Sequence, residues 1–487
     1  MSSSHIPRHS IQNDPLPVII VGAGPCGLIA ALALQNYRVP FVIIEKASRS
    51  KICSNAGSGF ELATTSVEIL KRLGIDVDKI LSRYEGLALV DGTNGKLIRS
   101  SSLNTRGGAV NRAQMQNYLL ELLFPSSEDE DGVLLCGSGL ETYEEDVGGE
   151  KVVATLSSGQ TVTGCLLLAC DGIHSRVRAV MHGGYESTKD WKTNVRKSNE
   201  LDPLHYCDSL VYWGKTPVEK GSKLEQEFQK TQGKDGNLTS FIFTLTTPKI
   251  PASVFVIPAQ NATVLNWAIT VNSKEKNKSD NNNGQDLTRR GGGPLTEAEK
   301  KRLFDFSTAP NPDSVVRGLT NFALLKEFIE QTPAKDITEA GLYDRENLDL
   351  PFASKNNLVV LLGDAAHPQT PVLGQGVNMA IADAYVYATN IALAQRDQRA
   401  PREAISKSNT SDRHKGSKTT VKMARSMLAL FTSQNLFVCW LSYLMTKFLP
   451  SSYFANSIDD GDKSNRDFLK FLDENCRSPK EQEVMKA

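Results

Sequence analysis

Apolar residues along this chain follow two rhythms, and the alternation between them suggests its organisation. Val18 to Val21 is a short β-branched run that ends in glycines, and Leu28 to Leu34 is rich in Ala and Leu. Phe41 to Ile44 is a second apolar run, ending at Glu45. Strand, tight turn, helix and strand make one βαβ unit. Helical spacing returns in Thr64 to Leu73 (Val67, Leu70, Leu73), which closes at Gly74, and in Ala113 to Phe124, ahead of Pro125 and the acidic loop Ser126 to Gly132. Strands are expected at Val133 to Leu135, Val152 to Leu156 and Thr161 to Val162. Cys165 to Cys170 is apolar enough for a fully buried strand leading into Asp171-Gly172. From about Met181 to Asp349 the helical rhythm weakens. Runs at Ser240 to Leu245, Ser253 to Ile257 and Val264 to Thr270 predict a mostly antiparallel sheet there. Leu358 to Leu362 is again a buried-strand run and Gly376 to Ala394 a long helix, so the chain leaves its first domain and comes back to it.

The expected organisation is a flexible leader over 1–15, a dinucleotide-binding domain in two parts (16–180 and 351–396), a substrate-binding β-sheet domain over 181–350, and a helical segment over 397–487. The stretch 272–293 has almost no apolar residues and reads as a solvated insertion. The 487 residues carry 55 basic and 55 acidic side chains, which gives no electrostatic reason to expect nucleic acid as a partner. Eight scattered cysteines with no C-x-x-C pair read as free thiols in a reducing compartment rather than a disulfide or metal framework. Met1 to Pro15 lacks an apolar core of the kind a signal peptide needs, so a cytoplasmic location is expected. Met427 to Pro450 is rich in Leu, Phe and Trp but interrupted by polar residues. A buried helix packed on the main domain is the favoured reading. Peripheral membrane contact, helped by Arg413, Lys415, Lys418, Lys422 and Arg425, is the alternative.

Three motifs carry chemistry. In Gly22-Ala23-Gly24-Pro25-Cys26-Gly27 the glycines permit a sharp turn, close backbone approach to a pyrophosphate, and tight helix–strand packing. Glu45, eighteen residues after Gly27, is placed to accept hydrogen bonds from an adenosine ribose. Cys26 reads as a small residue that fits the turn. The second motif runs from Ala169 to Arg178: a buried strand delivers Asp171 to a turn at Gly172, an arrangement commonplace when alone. In the third, a strand ends in Gly363-Asp364, Pro368 and Pro371 stiffen the connection, and Gly374 and Gly376 begin a helix. A carboxylate there suits cofactor hydroxyls, and a helix N-terminus suits negative charge developing on a ring. His367 invites a general-base reading, yet it precedes a proline in a rigid turn, so a structural or cofactor-packing role is expected.

Taken together and in this order, the motifs resemble those of the class A FAD-dependent monooxygenases, the single-component aromatic hydroxylases related to p-hydroxybenzoate hydroxylase. The resemblance spans about Val18 to Ala394. It implies an α/β fold in which a Rossmann-like FAD-binding domain is interleaved with a mostly antiparallel substrate domain and followed by C-terminal helices. By that similarity Gly22, Gly24, Gly27 and Glu45 would hold the ADP half of FAD, and Arg112 would contact the cofactor. Asp171 would serve both FAD and reduced nicotinamide. Asp364 would bind the ribitol, and Pro371, Gly374, Gly376, Val377 and Asn378 would line the isoalloxazine.

With one dinucleotide fingerprint in the chain, NADPH or NADH would act as a transient reductant. Dioxygen would then form a flavin C4a-hydroperoxide that oxygenates an electron-rich aromatic or enolic small molecule. No catalytic base is assigned, and no metal is expected. Tyr212 and Pro371 are candidates near the flavin, while Tyr206 and Trp213 are further aromatic candidates and Trp267 reads as sheet packing. An isoprenoid epoxidase and a non-catalytic FAD-fold protein binding a prenylated partner are the alternatives. A halogenase is disfavoured because no W-x-W-x-I-P motif occurs, and Arg413 to Arg425 departs from the family's cleaner arginine-rich helix.

Overall fold

The computed structural model describes residues 15–448 and 470, apart from 54–58, 84–85, 103–106, 147, 183–201, 203, 232–239, 246–251, 260–262, 274–292, 308–309, 311–313, 318, 320, 346, 410 and 434. The expected leader and solvated insertion therefore lie almost wholly outside the described residues.

Val18–Val21, four consecutive buried β-branched residues, forms the centre of a five-stranded parallel sheet. The sheet order is Val359–Leu361, Leu166–Ala169, Val18–Val21, Phe41–Glu45, Leu134–Cys136. A strand buried on both faces needs no polar alternation, which is why these runs read as continuously apolar. Two helices press on this sheet and on each other. The fingerprint helix Pro25–Asn36 is buried from Cys26 to Leu34 against the central helix Gly376–Arg396. The first and last motifs are thus brought together by one shared core.

The second layer is an eight-stranded sheet, ordered Gly293–Pro294, Thr338–Arg345, Leu204–Pro217, Val264–Asn272, Ala252–Ala259, Ser240–Leu245, Gly86–Asp91, Leu97–Ser102. The hairpin Gly86–Asp91/Leu97–Ser102 falls within the 16–180 stretch read as cofactor domain, but it belongs to this sheet. Gly86–Asp91 pairs in parallel with Ser240–Leu245, a partner about 150 residues away that no local pattern announces. A smaller sheet, Gly59–Leu62, Gly108–Asn111, Leu81–Ser82, touches Ala252–Ala259 of the large sheet. The acidic loop after Pro125 contains one helical turn, Ser127–Glu130.

Two helices end the described chain. The helix Ser411–Phe431 crosses the structure, and the terminal helix Leu436–Phe448 follows it after a short turn. The expected buried C-terminal helix is only half right: Cys439 is buried, but Leu436, Phe437, Trp440, Leu441 and Phe448 are exposed. No helix among the described residues is long and apolar enough to cross a membrane.

Candidate active site

The adenosine end is built where Val18–Val21 meets its helix. Gly22 has φ +105°, and a Cβ there would lie 2.4 Å from the Cys170 carbonyl oxygen. A Cβ on Gly27 would lie 1.9 Å from the oxygen of Gly22. Gly24, by contrast, faces open space and caps the helix with no side-chain bond, so the positive helix end is left available to phosphate. The carboxylate of Glu45 accepts from the backbone N–H of Ala23 (2.7 Å) and of Ala47 (2.7 Å). Two ionised oxygens have about four acceptor sites, so capacity remains for ribose hydroxyls. Gln116, which the sequence reading did not single out, donates 2.8 Å to the Ala23 carbonyl and ties the helix Arg112–Leu123 to the turn.

The second motif is a capped turn. Gly172 has φ +79°, and Asp171 Oδ2 accepts from the N–H groups of Arg176 (2.7 Å) and Val177 (3.2 Å), closing the N-terminus of the helix Arg176–Met181. Asp171 Oδ1 is buried and has no hydrogen-bond partner among the described residues. Burial raises the carboxyl pKa. One oxygen therefore builds the turn while the other is left for a ligand.

At the third motif, Gly363 adopts φ +54° and Asp364 points from the turn Gly363–Ala365 into solvent-reached space. Desolvation raises the Asp364 pKa, opposed by positive charge from His367 and from Arg112. Arg112 and Asp364, predicted from separate motifs, are thus electrostatic neighbours.

His367 is almost wholly buried. Its Nε2 lies 2.7 Å from Asp383 Oδ2, and its ring packs at 5.8 Å on Phe352. Asp383 also accepts from the Gly363 N–H (2.9 Å) and from Arg413 Nε (3.1 Å). Burial alone would raise the Asp383 pKa, but Arg413, His367 and these hydrogen bonds outweigh it and hold the carboxyl well below its usual range. The structural reading of His367 fits this geometry.

Pro371–Leu373 forms a 3-10 turn ending at Gly374, φ +63°, before the central helix. Pro371 is exposed, and Gly374, Gly376 and Val377 are half-buried. Asn378 is different: its Oδ1 accepts from Ala63 N–H (2.9 Å), and its Nδ2 donates to Glu61 O (3.1 Å) and Gly374 O (2.8 Å). The side chain brackets the turn to the strand Gly59–Leu62. In this arrangement it positions the turn and has no free donor aimed at a ring.

Arg178 links the second and third motifs. It is 1% exposed, and its Nη1 donates to the carbonyls of Ala365 (3.2 Å) and Ala366 (2.7 Å). Its Nε and Nη2 bind Asp202, which also pairs with Arg345 at 3.5 Å. Arg345 in turn donates 2.8 Å to Ile173 O, inside the second motif, and burial pulls its pKa down to about 10. An arginine three residues after Ser175, whose Oγ accepts from the Arg178 N–H (3.0 Å), is visible in the sequence, but its distant carbonyl partners are not.

The large sheet turns one face toward the Pro371–Leu373 turn. Val211, Trp213, Ala268, Ala340 and Leu342 on that face cluster with Val372 and with Leu428 of Ser411–Phe431. Tyr212 alternates to the opposite face. It is fully buried in the second core, edge-on to Phe304 at 5.6 Å, and burial pushes its phenol pKa far up. Tyr212 is therefore turned away from the Pro371–Leu373 turn, which Trp213 of the same strand faces instead. Trp267 is sheet packing as expected, stacked on Phe328 at 5.2 Å with its Nε1 donating to Thr216. Tyr206 packs against Tyr343 with the ring centroids 5.1 Å apart and the planes tilted by 52°. On the turn-facing side, Ser253 pairs across to Thr270, and Asn266 lies two residues before Ala268. Ser253 Oγ and Asn266 Oδ1 are buried without hydrogen-bond partners among the described residues.

Three cations of the basic stretch are paired with carboxylates of the protein body. Arg413 pairs with Asp383, Lys418 with Asp349, and Arg425 grips both oxygens of Asp344 at 2.8 and 2.9 Å. His205, Cys207 and Asp344 come close enough to suggest a metal site. However, the Arg425 guanidinium occupies the carboxylate, and burial with Asp344 drives the Cys207 thiol far up, both unfavourable to a cation.

The family model described as FAD binding domain matches residues 15–290 and 331–424. The chain is 28% identical over 395 residues to FAD-dependent monooxygenase sor5 of Hypocrea jecorina (strain QM6a), covering 79% of this chain and 76% of that protein. It is 24% identical to Asperlicin C monooxygenase of Petromyces alliaceus, covering 81% and 76%. Among solved structures, Klebsiella pneumoniae HpxO complexed with FAD and uric acid superposes with a TM-score of 0.67 at 18% identity, over 91% of this chain and 96% of the other. A salicylate hydroxylase substrate complex gives 0.61 at 17%, over 92% and 99%.

Proposed function

Because this chain belongs to the FAD binding domain family and is an FAD-dependent monooxygenase, we propose that it uses NADPH or NADH to place one oxygen atom of dioxygen on an electron-rich, mainly apolar aromatic or enolic small molecule. The residues suit FAD. Gly22 and Gly27 leave no room for a Cβ, Gly24 opens toward phosphate, and Asp171 Oδ1 and Asp364 remain for cofactor hydroxyls or amides. Bound FAD supplies the redox chemistry and activates dioxygen.

What this chain contributes is position and shelter. Glu45 and the Gly22–Gly27 turn would fix the ADP half, and Asp364, with Arg112 beside it, the ribitol. The Pro371–Gly376 turn, held by Asn378, would set the ring against the sheet. The carrying observation is the composition of that facing wall. Val211, Trp213, Ala268, Ala340 and Leu342 would exclude water and receive an apolar body. Ser253 Oγ and Asn266 Oδ1 are the polar atoms on that side of the sheet that would orient it. A buried acceptor such as Asn266 Oδ1 suits a phenol, enol or N–H donor.

The test is a screen of NADPH and NADH oxidation by the FAD-loaded protein with phenolic acids, polyphenols, quinols and isoprenoid alkenes. Stimulated oxidation with an oxygenated product and little peroxide release from a phenol or enol is the expected result. Product from alkenes alone would replace hydroxylation with epoxidation. A protein that takes up no FAD on reconstitution would refute the catalytic reading.

A further inference from the structure

We propose that the outward face of the helix Leu436–Phe448 is a peripheral docking surface for an anionic membrane. Leu436 is 68% exposed, Phe437 65%, Trp440 55%, Leu441 43% and Phe448 73%. At 100° per residue these five fall within an arc of about 140°, a single stripe along the helix. Cys439 lies off that arc, buried, with its Sγ donating to Ser433 O at 2.9 Å. The helix contacts Ser411–Phe431, and these five exposed apolar residues are turned away from the protein. That is the reverse of an ordinary surface helix.

Charge identifies the occupant. From Arg413 to Phe448 the chain has six cations and no Asp or Glu, in a protein whose net charge is zero. Arg413, Lys418 and Arg425 are engaged with Asp383, Asp349 and Asp344, which fixes Ser411–Phe431 to the body. Lys415 and Lys422 remain exposed, and Met423, 50% exposed, stands beside Lys422. An aromatic-rich apolar stripe joined to cations without acids matches an anionic headgroup layer over acyl chains. A twofold contact with a second copy would instead bring the same cationic segment against itself. With no spanning helix among the described residues, the contact lies in the interface. The helix Ser411–Phe431 packs on the Pro371–Leu373 turn, with Leu428 against the sheet wall, so a membrane would lie beside the C-terminal end of the element that covers that turn.

The experiment is flotation of the full-length FAD-loaded protein with vesicles of phosphatidylcholine alone or mixed with phosphatidylserine. Partition into the mixed vesicles, reversed by salt, is expected. Phe437→Asp/Trp440→Asp should reduce partition by at least about tenfold. Flavin absorbance and melting should stay unchanged, because both side chains are exposed. Lys415→Glu/Lys422→Glu should weaken binding to the mixed vesicles and leave the weaker binding to phosphatidylcholine unaltered. Absence of partition, undiminished partition of the double Asp variant, or equal binding to both vesicle types would overturn the assignment. So would a dimer, seen without vesicles, that the double Asp variant abolishes.

Discussion

Arg178 is the group through which the second motif reaches the third, and its removal tests whether the two act as one unit. Arg178→Met keeps most of the buried aliphatic volume and removes the guanidinium. Asp202 loses the closer of its two arginines, and the carbonyls of Ala365 and Ala366 lose their charged donor. Breaking a buried pair from one side costs about 3–5 kcal/mol. Arg345 stays within 3.5 Å of Asp202, which favours the lower part of that range. The carbonyl bonds belong to the same group and do not add independently.

The loss should fall on the turn that carries Asp364, so FAD should dissociate at lower urea than that at which the sheets unfold. Flavin fluorescence would report release and far-ultraviolet circular dichroism the global transition. Arg178→Lys should recover only part of the effect, because an ammonium cannot reach Asp202 and two carbonyls in one fork. A destabilisation below about 1 kcal/mol together with unchanged FAD affinity would refute the coupling.

Asp364→Ala should weaken FAD binding by about one to two orders of magnitude, the scale of charged hydrogen bonds, while melting of the ligand-free protein changes little; fluorescence titration measures it. Asn378→Ala removes three hydrogen bonds that fix the ring-side turn and should lower kcat as well as stability, by about 2–3 kcal/mol, whereas an isoalloxazine-lining role alone would spare the ligand-free protein. Tyr212→Phe should leave kcat and KM unchanged, and Trp213→Ala should raise KM for substrate; the opposite pattern in steady-state kinetics would reverse the face assignment. The Asp383 carboxyl is held below its unfolded pKa of about 4, so its stabilisation is present above that pH and is lost as pH falls through the lower folded value; acid unfolding of Asp383→Asn should lack that component.

The parts of the fold that rest on local rhythm were legible. Val18–Val21, Pro25–Asn36, Phe41–Glu45 and Gly376–Arg396 lie within three residues of their expected limits, because buried parallel strands and a glycine-bounded helix are marked by neighbouring residues alone. What depends on long-range pairing was not. Gly86–Asp91 joins the large sheet through Ser240–Leu245, and nothing in either segment names the other. Tyr212 and Trp213 illustrate the same limit on one strand. Alternation shows that they face opposite ways, but which face meets the cofactor turn follows from where Val372 and Leu428 pack. Asn378 looked like a ring contact from its position in the motif, and only its partners at Glu61, Ala63 and Gly374 give it a bracketing role.

The basic stretch from Arg413 to Arg425 departs from a clean arginine-rich helix, and its spacing has a structural reason. Arg413 and Arg425 are separated by twelve residues, a little over three turns and about 18 Å along a helix. That span carries Ser411–Phe431 from Asp383, which holds the cofactor turn, to Asp344 at the end of the sheet strand Thr338–Arg345. The residue next to Asp344 is Arg345, which returns through Asp202 and Arg178 to Ala365 and Ala366 of the same turn. Two ion-paired routes therefore join the Gly363–Ala366 turn, which carries Asp364, to the large sheet, one over the surface helix and one through the interior. A monooxygenase must hold ring and substrate in register while keeping water out, and a hinge at that junction would defeat both. Two routes that converge on the neighbouring residues Asp344 and Arg345 would hold the sheet and the turn in register. Disrupting either Arg413 or Arg178 should therefore raise peroxide release per flavin reoxidised before it lowers the rate of oxidation itself.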